Sequence, residues 1–142
     1  VDMVVEKTVP GMEKLIETFW PGPLSLVVPG RGSLPDQVVD SQGQVCVRWS
    51  PHPLASFLSR RSRRPLVATS ANRNGEEPAK DILQIHHALR KNVDAIVEEP
   101  PYPEGGLPST IIRPVSEKEV LILRQGVVSP DALKIAGFRT RS

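Results

Sequence analysis

A chain of 142 residues with 39% hydrophobic side chains can bury one real core, and its net charge of +2 is too weak a bias to name a partner by itself. No apolar run approaches the ~18 residues of a membrane-spanning helix and no signal peptide is visible, so no membrane partner is expected and the cytoplasm is the expected compartment. The one cysteine, Cys46, forms no internal disulfide, which agrees with a reducing compartment.

Val1 to Val5 reads as a frayed strand or a cut edge. Met12, Leu15, Ile16 and Phe19 fall at helical spacing and predict a helix from Gly11 to Phe19. Trp20-Pro21-Gly22-Pro23 ends it, because proline cannot continue the ladder. Leu24 to Val28 then reads as a strand, and Pro29 to Gly43 as a long, mobile polar loop. Val45 to Trp49 is the next predicted strand. Arg48 stands in it as a single charge, and a buried guanidinium needs a partner. That partner is either a carboxylate, such as Asp40 or Asp94, or an anionic ligand clamped in two-pronged fashion.

Pro51 and Pro53 open a helix through Leu58. The basic run follows: Arg60, Arg61, Arg63 and Arg64 around Ser62. It reads as a solvated loop or as a contact to nucleic-acid phosphate. It holds no aromatic residue for base stacking. Leu66 to Thr69 reads as a buried strand that delivers hydroxyls and an amide to a loop ending at Gly75. Thr69, Ser70 and Asn72 therefore sit where a ligand is expected, at the carboxyl end of a strand. A plain strand and turn is the alternative.

Ile82, Ile85, His86 and Leu89 predict a helix with Asp81 as its N-cap. His86 and His87 are adjacent, so they face different ways and read as surface or packing residues. Neither they nor Cys46 have metal-ligand spacing, and no protein metal site is expected. Ala95 to Val97 is a predicted strand and Glu98 to Pro108 a Pro/Gly loop. Ser109 to Arg113 and Val120 to Leu123 read as a hairpin around Pro114 to Glu119. Ser109 follows a glycine pair, so backbone can approach a ligand there, although a turn cap is equally consistent. Arg124 ends its strand before Gln125-Gly126 and can reach a phosphate. Ser129-Pro130 starts a last helix through Ile135, Gly137 ends it, and 139–142 reads as a tail.

Alternating helices and strands give an α/β class: one domain over 1–142, with a twisted mixed sheet and flanking helices. The ligand pocket is expected where the strands bearing Arg48, Thr69, Ser109 and Arg124 converge.

The blocks FWPGPLSLVV and LVATSANRNG, followed by GLPSTII and ILRQG, resemble the YrdC family of threonylcarbamoyl-AMP synthases. The resemblance runs from about Met12 to Gly126. It implies the YrdC/RibB-like fold and a nucleotidyltransferase that joins L-threonine, bicarbonate and ATP, with Mg2+, for tRNA modification. It implies that Arg48, Thr69 and Ser109 hold threonine. Ser70, Asn72, Pro78, Arg124 and the backbone near Gln44 would line the nucleotide site, with Arg124 the residue nearest the chemistry. The family's Pro-Thr-x-Thr-x-Tyr-Gly and following Lys-x-Arg do not occur here. The chain looks like the family domain without its first part, and is expected to be inactive alone. An exposed edge makes a homodimer plausible. The tRNA threonylcarbamoyl-transfer machinery is the implied partner. The alternatives are a non-catalytic relative that binds nucleotide, tRNA or double-stranded RNA, and a carbamoyl-transfer domain of the hydrogenase-maturation kind. The latter's flanking zinc-finger cysteines are not in this sequence.

Overall fold

The computed structural model describes residues 1–72, 79, 81–98, 100 and 106–141. They gather into two compact units: Val1–Pro65 with Leu107–Ser142, and Leu66–Gly106.

The larger unit is a mixed five-stranded sheet with helices beside it. Its elements are α1 (Met12–Phe19), β1 (Leu24–Pro29), β2 (Gln44–Val47), α2 (Pro53–Ser62), β3 (Thr110–Ser116), β4 (Glu119–Arg124), α4 (Pro130–Ile135) and β5 (Arg139–Arg141); α3 (His87–Lys91) belongs to the smaller unit. The strand order is β2-β1-β3-β4-β5. β1 is antiparallel to β2 and parallel to β3; β4 is antiparallel to β3 and parallel to β5.

Alternation decides which face is core. Leu24, Leu26 and Val28 of β1, Val45 of β2, Ile112 of β3 and Val120 of β4 are buried on one face. They meet Met12 and Leu15 of α1, Leu133 of α4, and Phe138. The periodic apolar stripe of α1 therefore does what its spacing predicts. Ser129 caps α4 by accepting from the Ala132 N–H at 3.1 Å. Gly137 follows at φ +94°, which suits glycine. The peptide bond between Trp20 and Pro21 is cis.

Several expectations need correction. Residues 139–141 are not a tail: they add β5 to the sheet, where Arg141 pairs with Glu119. A polar, alternating triplet suits a half-exposed edge better than its composition alone suggests. The second strand ends at Val47, so Arg48 lies just beyond it and is exposed. The loop before it is tied down: Gly30 N–H donates to the Gly43 carbonyl at 2.9 Å, and Val39 bridges to Val45.

The smaller unit holds a 3₁₀ turn, Ile82–Gln84, ahead of α3. Asp81 caps the turn as predicted, accepting from Leu83 N–H at 2.8 Å. The single helix predicted across Ile82 to Leu89 is instead broken at Ile85, which is extended, and at His86, which caps α3 through Nδ1. Leu66 to Thr69 and Ala95 to Val97 are not strands. Val67 is 83% exposed. A short apolar run takes β structure only against a paired neighbour, and neither run has one among the described residues.

Candidate functional site

The sheet face opposite the core carries the polar groups. On β1 it holds Ser25 and Val27; on β2, Gln44 and Cys46; on β3, Ile111 and Arg113. The pairings Val27↔Cys46 and Ser25↔Ile111 set these side by side.

Arg124 reaches this face through an irregularity. Ile112 pairs with Ile122, yet Ile111 pairs with Arg124, so Leu123 is an extra residue on β4. Regular alternation would point Arg124 the way of Val120 and Ile122, into the core. The bulge re-aims it. Its guanidinium donates to the Ser109 carbonyl oxygen from Nε at 3.3 Å and from Nη2 at 2.8 Å. Nη2 also donates to Ser109 Oγ at 3.2 Å. Ser109 Oγ lies 3.0 Å from Ser25 Oγ, the two sharing a hydrogen bond.

A buried polar knot fixes Ser109 from behind. Gly126 N–H donates to Thr110 Oγ1 at 2.9 Å, and Thr110 Oγ1 donates to the Val128 carbonyl at 2.7 Å. Val127 N–H donates to the Pro108 carbonyl at 3.0 Å. A Cβ on Gly126 would stand 2.0 Å from Pro108 O, so only glycine allows this approach.

Cys46 reports the electrostatics of the face. Cys46 is exposed as a residue, yet partial desolvation of its thiol against the sheet raises it above the ordinary value. Arg124, a hydrogen bond from Ser25, and Arg48 oppose that shift. Ser25, Cys46, Arg48, Ser109 and Arg124 are thus neighbours in one unit. Arg48 is not paired with Asp40, whose Oδ1 accepts from Gln42 and Gln44 N–H groups at 2.8 Å each. No ion pair involves Arg48 among the described residues.

Of the predicted residues, the structure brings together Arg48, Ser109 and Arg124, with Gln44 on the same face. Thr69, Ser70 and Asn72 belong to the smaller unit; Thr69 and Ser70 are exposed and Asn72 is half-buried. Pro78 lies outside the described residues. Arg60 and Arg61 close α2, and Arg63 caps it at φ 53°. All four arginines of that run, Arg64 included, are exposed.

Sequence reasoning missed Ser25 and Arg113. Ser25 is a polar residue in the apolar run Leu24 to Val28, and it is buried. Arg113 is a charge within a β-strand, the very signal used for Arg48. Its Nη1 contacts Gln44 Oε1 at 3.5 Å across β1.

The family model described as "Sua5_yciO_yrdC: Telomere recombination" matches residues 1–126. A threonylcarbamoyl-AMP synthase of Nitrosococcus oceani is 38% identical over 82 residues, 58% of this chain and 44% of that protein. Its counterpart in Xylella fastidiosa is 34% identical over 109 residues, 76% of this chain and 57% of that one. The crystal structure of P. abyssi Sua5 complexed with L-threonine superposes with a TM-score of 0.78 at 25% identity, over 99% of this chain and 41% of that one. E. coli YciO, at 22% identity and a TM-score of 0.71, covers 86% of this chain and 59% of its own, and shares the fold. The chain thus spans about half the length of the curated relatives it matches. With a mixed sheet of the same kind and a family match across nearly all of its length, this chain belongs to the Sua5/YciO/YrdC family.

Proposed function

We propose that the chain is part of a threonylcarbamoyl-AMP synthase. It would join L-threonine, bicarbonate and ATP into L-threonylcarbamoyladenylate and pyrophosphate, for tRNA modification in the cytoplasm. The observation that carries this reading is the Arg124–Ser109–Ser25 hydrogen-bond chain on the sheet face opposite the core. It supplies fixed donors and positive charge, which is what displacement at phosphorus needs.

The reaction requires no protein nucleophile. The threonine amine takes up bicarbonate with loss of water, giving a carbamate. A carbamate oxygen bonds to the α-phosphorus. The bond from that phosphorus to the bridging oxygen breaks, and its electron pair leaves with pyrophosphate. Magnesium would come with ATP and would neutralise charge on its phosphates. In this reading Arg48, Thr69 and Ser109 hold threonine. Gln44, Ser70, Asn72, Pro78 and Arg124 hold the nucleotide. The tRNA threonylcarbamoyl-transfer machinery takes the product, and the arginine run at the end of α2 touches RNA.

The test is pyrophosphate release dependent on both threonine and bicarbonate. The 142-residue chain alone is expected to show none. A chimera that places the upstream part of a curated relative ahead of Val1 is expected to show it. Release without either substrate, or a folded chimera that never releases pyrophosphate, overturns the reading.

A further inference from the structure

Arg113 is a half-buried guanidinium on the site's face, and little that it touches satisfies it. It has five N–H donors. Its side chain reaches Gln44 Oε1 only at 3.5 Å, the outer limit of a useful hydrogen bond. No carboxylate pairs with it among the described residues. A cation partly withdrawn from water with its donors unused is costly unless an acceptor arrives.

The backbone says where that acceptor would lie. Arg113 is two residues along β3 from Ile111, the partner of Arg124. That separation is about 7 Å along the strand. Both side chains stand on the face bearing Ser25 and Cys46. Arg124 has Nη1 left after its bonds to Ser109. Two cations on one face, two residues of β3 apart and with donors the protein leaves unused, match a ligand whose negative charges are themselves spaced along a chain. A single carboxylate would engage one of them; an oligophosphate engages both.

We propose that Arg113, positioned by Gln44, is a further binding residue that takes the outer phosphates of a nucleoside triphosphate, while Arg124 serves the inner one. This rests on the nucleotide reading above and assigns the end of the ligand that becomes pyrophosphate. The residue discriminates triphosphate from monophosphate.

Isothermal titration of the 142-residue chain with ATP, AMP and inorganic tripolyphosphate tests it. Arg113→Ala and Arg113→Glu are expected to weaken ATP and tripolyphosphate about tenfold or more, the loss of one charge-assisted hydrogen bond. AMP affinity should stay within about twofold on the same argument. Arg113→Lys should recover part of the loss, and circular dichroism should show each variant folded. Arg124→Ala should weaken ATP and AMP alike. If Arg113→Ala binds ATP as the unaltered chain does, or loses AMP equally, the assignment to outer phosphates is wrong and the nucleotide reading stands. If the unaltered chain and the chimera bind neither ATP nor tripolyphosphate, both fall.

Discussion

Arg124 and Ser109 are tied together on the sheet face opposite the core: two guanidinium nitrogens converge on one carbonyl oxygen, and one of them also reaches the hydroxyl. The pair ties the end of β4 to the residue that precedes β3. Neither group then has to find its orientation when a ligand arrives, and such preorganisation is a large part of what a positioning enzyme provides.

Arg124→Ala in the active chimera should lower the rate of pyrophosphate release on the order of 10²–10³-fold, the usual loss for a group that stabilises developing charge. Arg124→Lys should recover only a fraction, since an ammonium cannot hold Ser109 and a phosphate with one planar fork. Steady-state kinetics in threonine and ATP measure this. An Ala variant with unchanged kcat removes Arg124 from the chemistry.

Thr110→Val should destabilise the larger unit. The Thr110 side chain is fully buried and serves both the Gly126 N–H and the Val128 carbonyl. Valine strands both groups, at about 1–3 kcal/mol for each. Thr110→Ser keeps the hydroxyl and should lose much less. Urea denaturation of the two variants gives the comparison. Equal midpoints would mean that water replaces the hydroxyl at no cost.

The thiol of Cys46 should be slow to react at neutral pH. Partial desolvation raises its pKa, which disfavours the thiolate although the residue is exposed. The folded chain then holds this proton at pH values where the unfolded chain has released it. Stability from this group is complete below the unfolded pKa and declines as pH rises through the folded one. Iodoacetamide labelling across pH, read by mass, should rise later for the folded chain than for the same chain in urea. Arg124→Ala should delay it further, because Arg124 is a charge that favours the thiolate. Coincident profiles would contradict the shift.

Replacing Arg60, Arg61, Arg63 and Arg64 by Ser should weaken binding to any RNA and flatten its salt dependence. All four are exposed at the end of α2. Removing one arginine from a phosphate should reduce the salt slope by about 1. Filter binding of tRNA and of a double-stranded RNA at several salt concentrations measures it. An unchanged slope leaves the run as a solvated helix end.

Much of the architecture was legible because its signals are local. The stripe Met12, Leu15, Ile16 and Phe19, the caps at Asp81 and Ser129, and the β3–β4 hairpin each depend on residues a few positions apart. What was not legible depends on pairing between distant segments. Leu66 to Thr69 has the composition of a strand and no ladder among the described residues. Residues 139–141 have the composition of a tail and a ladder with β4. The site shows the same division. Ser109 and Arg124 were visible as polar residues at strand ends. Ser25 and Arg113 became visible only once β1 and β3 lay in parallel register, which put them on one surface.

The bulge at Leu123 gives the length of β4 a meaning beyond its sequence. If the strand were regular, with Leu123 taking its own place in the ladder, Arg124 would fall in line with Val120 and Ile122 and carry an unpaired charge into the core, at several kcal/mol. With the bulge, the same residue faces outward. The direction of Arg124 is therefore set by the bulge and by the count of residues after it: deleting Leu123 would leave the arginine outward in a regular strand, whereas inserting one ladder residue after Leu123 would turn it inward, and inserting two would restore the sense.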